Sequence, residues 1–137
     1  MKIIIPGGSG YVGTVLARAF HEKGDEVVVL SRKPIRKQWR MVKWDGETLG
    51  RWADEFEAAD AIINLAGQSV NCRYTAENRR IITESRLKST EVVGQAITQA
   101  AYTLARKAAA EVLTAGTYDS ITGADSFGDI NGAFPAP

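Results

Sequence analysis

The chain has 137 residues, which is the size of one domain, and its 45% hydrophobic and 24% charged residues are ordinary for a globular protein. A formal net charge of +1 gives no overall attraction to nucleic acid or membrane. With Cys72 and His21 as the only residues of their types, an internal disulfide and a multi-cysteine or His-rich metal site are excluded. No apolar run reaches the length of a signal-peptide core or a membrane span, so we expect a cytoplasmic protein without a membrane partner.

The first elements predict a strand–helix–strand unit. "KIIIP" is a consecutive apolar, β-branched run, typical of a buried parallel strand. A helix is predicted from Tyr11 to Lys23, ending at Gly24, and "DEVVVLSR" is a second buried strand. The residues expected on the buried side of this helix are Val12, Val15, Leu16, Ala19 and Phe20.

The next stretch predicts two more strands and two helices. Residues 39–45 alternate as a peripheral third strand, residues 49–56 form a short helix, and "DAIINLAG" is a fourth buried strand. A helix follows from Thr75 to about Thr98, and we expect its buried side to carry Ile81, Ile82, Val92, Val93 and Ile97. After a turn expected near Ala100, a further helical stretch leads into a tail of loops with one short hairpin. This order predicts an α/β fold, a Rossmann-like three-layer sandwich with a parallel sheet of four strands or slightly more.

The turn after the first strand carries glycines at regular spacing. Gly7 permits the tight turn, Gly10 lets a pyrophosphate approach the backbone, and Gly13 lets helix and strand pack closely. The free N–H groups of the following helix attract phosphates. At a strand end that opens a helix, this spacing indicates a dinucleotide site. The alternative is a tight structural turn that binds no ligand.

The end of the second strand favours NADP(H) over NAD(H). An NAD-selective site has an acid there for the ribose 2′-OH, whereas this chain has Ser31, Arg32 and Lys33. Cationic side chains suit a 2′-phosphate. The alternative is that both cations are merely solvated. The basic run that continues to Lys43 fits a solvated loop beside the phosphate pocket better than a nucleic-acid patch, so we expect no nucleic-acid partner.

Several segments together carry a family resemblance: "IIIPGGSGYVG", "VVVLSRKP", "VKWDGETLGRWADEFEAADAIINLAGQSVNCRYTAENRR" and "SRLKSTEVVGQAI". Over about residues 1–99 the chain resembles the extended short-chain dehydrogenase/reductase superfamily, within it the atypical NAD-dependent epimerase/dehydratase-like subgroup often described as sugar nucleotide epimerases. The resemblance implies a Rossmann fold, truncated relative to the full family, and a nicotinamide cofactor. It implies cofactor contacts at the phosphate turn, the 2′-phosphate position, the adenine-side acid and the segment after the fourth strand, namely Gly7, Gly10, Tyr11, Val12, Gly13, Ser31, Arg32, Asp45, Asn64, Leu65, Ala66 and Gly67.

One of these positions, and three residues that follow the segment, have simpler interpretations. Asn64 would also serve as a hydrogen-bonded cap at the strand end. Asn71, Arg73 and Tyr74 could face a substrate, but a plain loop is the better interpretation.

The catalytic residues that the superfamily uses do not match. Members of the superfamily use a Ser or Thr at the end of a fifth strand and a Tyr-x-x-x-Lys pair. In this sequence no fifth strand is predicted after the long helix. Tyr102 is followed four residues later by Arg106, whose permanent charge cannot easily copy the proton relay of lysine. We therefore expect no complete catalytic machinery and no assignable catalytic residue, which leaves open whether the chain is an enzyme.

The end of the chain resembles a different family. Residues 100–137 are similar to the C-terminal part of branched-chain amino acid binding proteins of ABC transporters, on the residues Tyr118, Asp119, Thr122, Gly123, Phe127, Asn131 and Gly132. We therefore divide the chain into a dinucleotide-binding half, 1–99, and a helix plus loop or hairpin tail, 100–137, packing on the same domain. A fused or engineered chimera without a ligand, a natural truncation, and an active NADPH-dependent reductase or epimerase are the open alternatives. Because a four-stranded half-sheet has exposed edges, a homodimer is expected to cover part of them.

Overall fold

A computed structural model of the protein describes the backbone of residues 1–114 and the side chains of residues 1–111. Four strands and two helices alternate along this part of the chain, with one 3-10 turn between the third and fourth strands. Their bounds are β1 Lys2–Pro6, α1 Tyr11–Glu22, β2 Glu26–Ser31, β3 Arg40–Lys43, the 3-10 turn Arg51–Phe56, β4 Ala61–Ile62 and α2 Ala76–Thr114.

The four strands form one parallel sheet in the order β3-β2-β1-β4. The register pairs Ile4 of β1 with Val28 of β2 on one side and with Ile62 of β4 on the other. Strand β3 extends the sheet beyond β2, where Val29 pairs with Met41. The predicted α/β, Rossmann-like fold with a four-stranded parallel sheet is confirmed.

The two faces of the sheet are covered by different elements, because successive strand residues point to opposite sides. On one face Ile4, Val28 and Leu30 pack with three groups of residues: Trp44 after β3, Trp52, Ala53 and Phe56 of the 3-10 turn, and Val92, Val93 and Ala96 of α2. On the other face the packing is around α1 and involves Ile3, Ile5, Ala17, Val27, Val29 and Trp39. This is the three-layer arrangement predicted from the sequence.

Strand β4 is shorter than the predicted residues 60–67, although the chain stays extended beside β1. The backbone N–H of Ile63 donates to the Ile4 carbonyl over 2.9 Å, and that of Leu65 donates to the Pro6 carbonyl over 2.8 Å. Beyond Leu65 the chain leaves this pairing with β1. The Ala66 N–H donates to the Asn64 side chain, and the Gln68 N–H donates to Ser85 of α2.

The buried sides of the helices differ from the prediction. In α1 the fully buried residues are Gly13 and Ala17. The predicted Leu16 and Phe20 are partly buried against the core, whereas Val12, Val15 and Ala19 are exposed. In α2 Val92 and Val93 are buried as predicted, while Ile81 and Ile97 are exposed and Ser89 is buried instead. Small residues lie against the sheet because they let a helix axis approach it closely.

The turn expected near Ala100 is wrong, since α2 continues from Ala76 to Thr114. The sequence from residue 95 to 114 has no glycine or proline and is rich in Ala, Leu, Gln and charged residues with high helix propensity. The chain divides into two compact units, the first of them Met1–Ala101 and the second starting at Tyr102. The predicted hairpin tail and its motif from Tyr118 to Gly132 lie outside the described residues. No helix in the described part of the chain is long and apolar enough to cross a membrane.

Candidate functional site

A cleft of about 360 Å³ opens where the parallel strands end at their carboxyl termini. In open parallel sheets this edge is where ligands bind, because the loops from neighbouring strands meet there. The cleft is lined by the β1–α1 turn, the ends of β2 and β3, the segment after β4 and one side of α2. The lining residues are Gly7, Ser9, Gly10, Ser31, Arg32, Trp44, Asp45, Gly46, Glu47, Leu65, Ala66, Gly67, Gln68, Ser69, Ser85 and Ser89.

The three spaced glycines have three different surroundings. Gly7 has a φ of +72° and a side chain there would meet the Ala66 backbone at 2.6 Å, so only glycine fits between β1 and the segment after β4. A side chain at Gly13 would collide with the Gly8 backbone, which places α1 directly on the turn. At Gly10, apart from its chain neighbours, no described atom lies within 4 Å of the place that a Cβ would take. The turn is therefore tight at Gly7 and Gly13 and open at Gly10.

Helix α1 begins at this open position. Gly10 is its N-cap, no side chain caps the helix, and the first intrahelical bond is donated by the Thr14 N–H to the Gly10 carbonyl over 2.9 Å. The N–H groups of the first turn have no intrahelical acceptor, as at every helix start. They offer hydrogen-bond donors and a partial positive charge beside the cleft.

The segment after β4 is held in place by polar side chains. The Asn64 Oδ1 accepts from the Ala66 N–H over 3.0 Å, and its Nδ2 donates to the Thr90 hydroxyl over 3.5 Å. Helix α2 adds the Ser85 hydroxyl, which accepts from the Gln68 N–H over 2.8 Å, and the Arg86 guanidinium, which donates to the Gln68 carbonyl over 3.2 Å. These bonds fix the backbone that forms the far wall of the cleft.

The end of β2 contributes a buried hydroxyl and an unpaired cation. The Ser31 side chain accepts from the Lys33 N–H over 3.2 Å and is 4% exposed. Arg32 lines the cleft and is exposed, and no carboxylate among the described residues forms an ion pair with it. An unpaired guanidinium at this place can receive an anionic group without first breaking an ion pair.

The loop after β3 places a carboxylate at the opposite rim. The Asp45 Oδ1 accepts from the N–H groups of Glu47 and Thr48, each over 2.9 Å, and its Oδ2 accepts from the Thr48 hydroxyl. The Thr48 hydroxyl and the two backbone donors lower the pKa of Asp45 to about 2. Asp45 is therefore ionised at neutral pH, and it is turned mainly toward its own loop.

The depressed pKa of Asp45 predicts a pH dependence of stability. An ionised carboxylate accepts these bonds better, so its contribution is fully present above the ordinary pKa of 3.8 and is lost as pH falls toward 2. We expect Asp45→Asn to lower the urea midpoint at pH 6, and the gap to wild type to shrink steadily between pH 4 and pH 2. Urea titrations of both proteins across this range measure the gap. A constant gap at all pH values would contradict the assignment.

Most of the residues implied by the family resemblance lie together in the cleft. Eight of them line it, namely Gly7, Gly10, Ser31, Arg32, Asp45, Leu65, Ala66 and Gly67. Four do not line it. Tyr11 and Val12 are exposed on the first turn of α1, Gly13 lies against Gly8, and Asn64 bonds to the segment after β4.

The sequence analysis missed the contribution of α2 to the cleft. Ser85 and Ser89 are four residues apart and so share one face of the helix. The Ser89 hydroxyl, 2% exposed, lies 3.5 Å from the Ala66 carbonyl and donates to the Arg86 carbonyl over 3.1 Å. Two serines at helical spacing among apolar positions were a usable signal. The other missed residues flank predicted ones: Ser9, Trp44, Gly46, Glu47, Gln68 and Ser69.

The other candidate residues of the first compact unit do not line this cleft. Asn71, Arg73 and Tyr74 are exposed in the segment before α2, where the Arg73 carbonyl accepts from the Asn78 amide over 2.7 Å. Tyr102 is 66% exposed on α2, and the Arg106 guanidinium lies 6.0 Å from the centre of its ring. Cys72 is a free, exposed thiol. In the described part of the chain, no three His, Cys, Asp or Glu side chains are grouped so as to hold a metal ion.

A parallel sheet with a glycine turn at its carboxyl edge and helices on both faces defines a Rossmann-like α/β domain. The chain belongs to the NAD dependent epimerase/dehydratase family, whose pattern it matches over residues 3–131.

Two curated relatives show how much of the family's length is present. Epimerase family protein SDR39U1 of Bos taurus is 31% identical over 103 residues, which are 73% of this chain and 33% of that protein. Epimerase family protein YfhF of Bacillus subtilis is 32% identical over 100 residues, which are 71% of this chain and 33% of that protein. The chain thus spans about a third of the length of these relatives.

Solved structures show the same fold. The crystal structure of human epimerase family protein SDR39U1 (isoform 2) with NADPH is 30% identical, with a TM-score of 0.55 over 72% of this chain and 32% of that one. MoeE5 in complex with UDP-glucose and NAD is 20% identical and shows the fold alone, with a TM-score of 0.61 over 73% of this chain and 33% of that one.

Proposed function

We propose that this chain is an NADP(H)-binding Rossmann module that lacks complete catalytic machinery of its own. The observation that carries the proposal is the cleft at the carboxyl edge of the sheet. It combines an open glycine turn, an uncapped helix start and an unpaired arginine, all of which suit phosphate groups.

The pyrophosphate would lie at the start of α1. Gly10 leaves room for it, because no described atom apart from its chain neighbours lies within 4 Å of the place that a Cβ would take, and the helix whose first-turn N–H groups lack intrahelical acceptors begins there. The segment from Leu65 to Gly67 would border the adenosine half, since it lines the cleft directly beside Gly7 of the turn. When bound, the nicotinamide supplies hydride transfer, and the residues of this chain supply binding and orientation.

The preference for NADP(H) rests on Arg32. It has no carboxylate partner within residues 1–111, and the acid that an NAD site uses for the ribose 2′-OH is absent from the end of β2. The human relative solved with NADPH supports this preference, whereas MoeE5 was solved with NAD.

The absence of complete catalytic machinery rests on what the cleft contains. Among residues 1–101 no tyrosine lines it, and Tyr102 is followed four residues later by Arg106 and not by a lysine. A scaffold or chimera that folds but binds no ligand is the alternative. We further propose a homodimer, because β3 and β4 form the two edges of the sheet.

The direct experiment is calorimetric titration of the purified chain with NADPH and with NADH. We expect saturable NADPH binding that is weaker for NADH. Arg32→Gln should weaken NADPH binding by about 10–100-fold, the effect of losing one charge-assisted contact, and should leave NADH binding nearly unchanged.

Arg51→Gln is the matched control, because Arg51 is an exposed arginine on the 3-10 turn that does not line the cleft. It should leave both affinities unchanged. A folded sample that gives no heat with either dinucleotide would overturn the proposal and favour the scaffold alternative.

A further inference from the structure

Helix α2 holds one residue of the cleft wall by both of its backbone polar groups. The Gln68 N–H donates to the Ser85 hydroxyl over 2.8 Å, and the Gln68 carbonyl accepts from the Arg86 Nη1 over 3.2 Å. The Ile82 carbonyl, one turn earlier in α2, accepts from the same two side chains. The Ser85 hydroxyl donates to it over 2.9 Å, and the Arg86 Nη1 donates over 3.1 Å. These four bonds form a closed ring, the Gln68 clamp.

The Arg86 side chain lies directly against the backbone of Gly67. A Cβ at Gly67 would lie 3.1 Å from the Arg86 Cγ and 3.3 Å from its Nη1, which is closer than most Cβ contacts in proteins. Arg86 is exposed and forms no ion pair with a described carboxylate. Its place in the structure is therefore defined by the clamp, and neither burial nor a charge partner accounts for it.

The clamp is also the attachment point of the loop formed by residues 67–72. Among the described residues, no other hydrogen bond joins this loop to a helix or a strand. The remaining bonds of the loop are internal. The Asn71 N–H donates to the Ser69 hydroxyl over 3.2 Å, and the Cys72 N–H donates to the Val70 carbonyl over 2.9 Å. A loop with a single attachment loses its fixed position when that attachment is removed.

The order of the strands indicates which half of a dinucleotide this loop would border. In the order β3-β2-β1-β4 the direction of the connections reverses between β1 and β4, and dinucleotides bind across such a point. Under the proposed function, the 2′-phosphate lies at Arg32 after β2, and the pyrophosphate lies at the turn after β1. The nicotinamide half then continues toward the β4 side, where Gln68 and Ser69 line the cleft.

We propose that Arg86 is a positioning residue for the nicotinamide half of the bound dinucleotide, an inference that rests on the proposed function. Arg86 does not line the cleft, so it acts through the backbone of Gly67 and Gln68. Together with Ser85 it keeps this part of the wall in one conformation before the ligand arrives. A wall that is ordered in advance raises the affinity, because its ordering no longer opposes binding.

Calorimetric titration with two ligands separates the two halves. NADPH carries both, whereas adenosine 2′,5′-bisphosphate carries only the adenosine half with its 2′-phosphate. Arg86→Met keeps an unbranched stem against Gly67 and removes the donors. We expect it to weaken NADPH binding by about three- to tenfold, the effect of losing one hydrogen-bonded contact, and to leave bisphosphate binding unchanged. An unchanged NADPH affinity, or an equal loss for both ligands, would overturn the proposal.

Two further variants separate positioning from the effect of charge. Ser85→Ala removes the other half of the clamp without changing the charge, so it should also weaken the binding of NADPH and not that of the bisphosphate. Arg79→Met is the matched control, because Arg79 is an exposed arginine two turns earlier in α2. It should change neither affinity. If it weakens NADPH binding as much as Arg86→Met does, the charge of α2 is the cause and the proposal is wrong.

Amide exchange in the unliganded chain tests the clamp without any cofactor. The Gln68 N–H should exchange with solvent about tenfold faster in Arg86→Met than in wild type, while the Ile63 N–H, bonded to β1, stays unchanged. Equal Gln68 exchange in both proteins would contradict the clamp. If wild type binds neither ligand, the proposed function fails and this proposal fails with it. If wild type binds both ligands equally tightly, NADP(H) binding stands and only the role of Arg86 is lost.

Discussion

Trp52→Ala is expected to lower the free energy of unfolding by about 3–5 kcal/mol, the usual range for truncating a large buried aromatic residue. Trp52 is 6% exposed and lies between two rings. Its ring centre is 5.4 Å from that of Trp44 and 5.6 Å from that of Phe56, both in edge contact. Its Nε1 also donates to the Thr48 carbonyl over 3.1 Å, so the loss leaves a cavity and an unpaired carbonyl.

Urea unfolding followed by far-UV circular dichroism measures this effect without relying on tryptophan fluorescence. Leu49→Ala is the matched control, because Leu49 lies three residues before Trp52 and is 43% exposed. Its substitution should change stability by less than about 1 kcal/mol. Similar losses in both variants would contradict the assignment of Trp52 to the core.

Gly13→Ala is expected to destabilise the fold although it adds only one methyl group. The added Cβ would lie 2.5 Å from the Gly8 carbonyl carbon and closer still to the Gly8 carbonyl oxygen and Cα. Because the obstacle is backbone and not the end of a flexible side chain, α1 must move away from the turn. We expect a loss of about 3 kcal/mol, the upper part of the range for overpacking.

Gly10→Ala is the control that separates folding from binding. Its Cβ meets nothing within 4 Å among the described residues apart from chain neighbours, so its unfolding curve should stay close to wild type. Under the proposed function it should nevertheless weaken NADPH binding, since the methyl group occupies the place of the pyrophosphate. If Gly13→Ala and Gly10→Ala unfold at the same urea concentration, then close packing of α1 on the turn is not the reason that position 13 needs a glycine.

The strand–turn–helix core of the fold could be predicted from the sequence for physical reasons. The consecutive β-branched runs of β1 and β2 leave no polar face, so they require a covered parallel sheet. The tight turn between β1 and α1 needs residues without a side chain at fixed positions, so the spacing of Gly7, Gly10 and Gly13 could be recognised in the sequence. Arg32 and Asp45 reach the cleft because each lies within two residues of the end of a strand, and the ends of parallel strands meet at one edge of the sheet.

The faces of the helices could be predicted only in part, because apolar residues lie on more than one side of each helix. In α1 the valines at positions 12 and 15 are more hydrophobic than the residues that are buried, Gly13 and Ala17. Hydrophobicity alone would bury the valines. Close packing of the helix on the sheet instead requires small side chains at the contact. The helical spacing of Ser85 and Ser89 places them on one face of α2, but which segment that face contacts depends on how α2 crosses the sheet, a tertiary contact.

The order of strands has a consequence for the time course of folding. Strand β1 is synthesised first, but it lies between β2 and β4, and its second neighbour is about sixty positions later, where Ile3 pairs with Ala61. One side of β1 can pair once Glu26–Ser31 has been made, whereas the other side stays unpaired until β4 is available. Closing such a distant pair requires a large loss of chain entropy, which slows folding in sheets with many non-local contacts. During synthesis on the ribosome, the backbone edge of β1 that later pairs with β4 therefore stays open to incorrect pairing until β4 has been made.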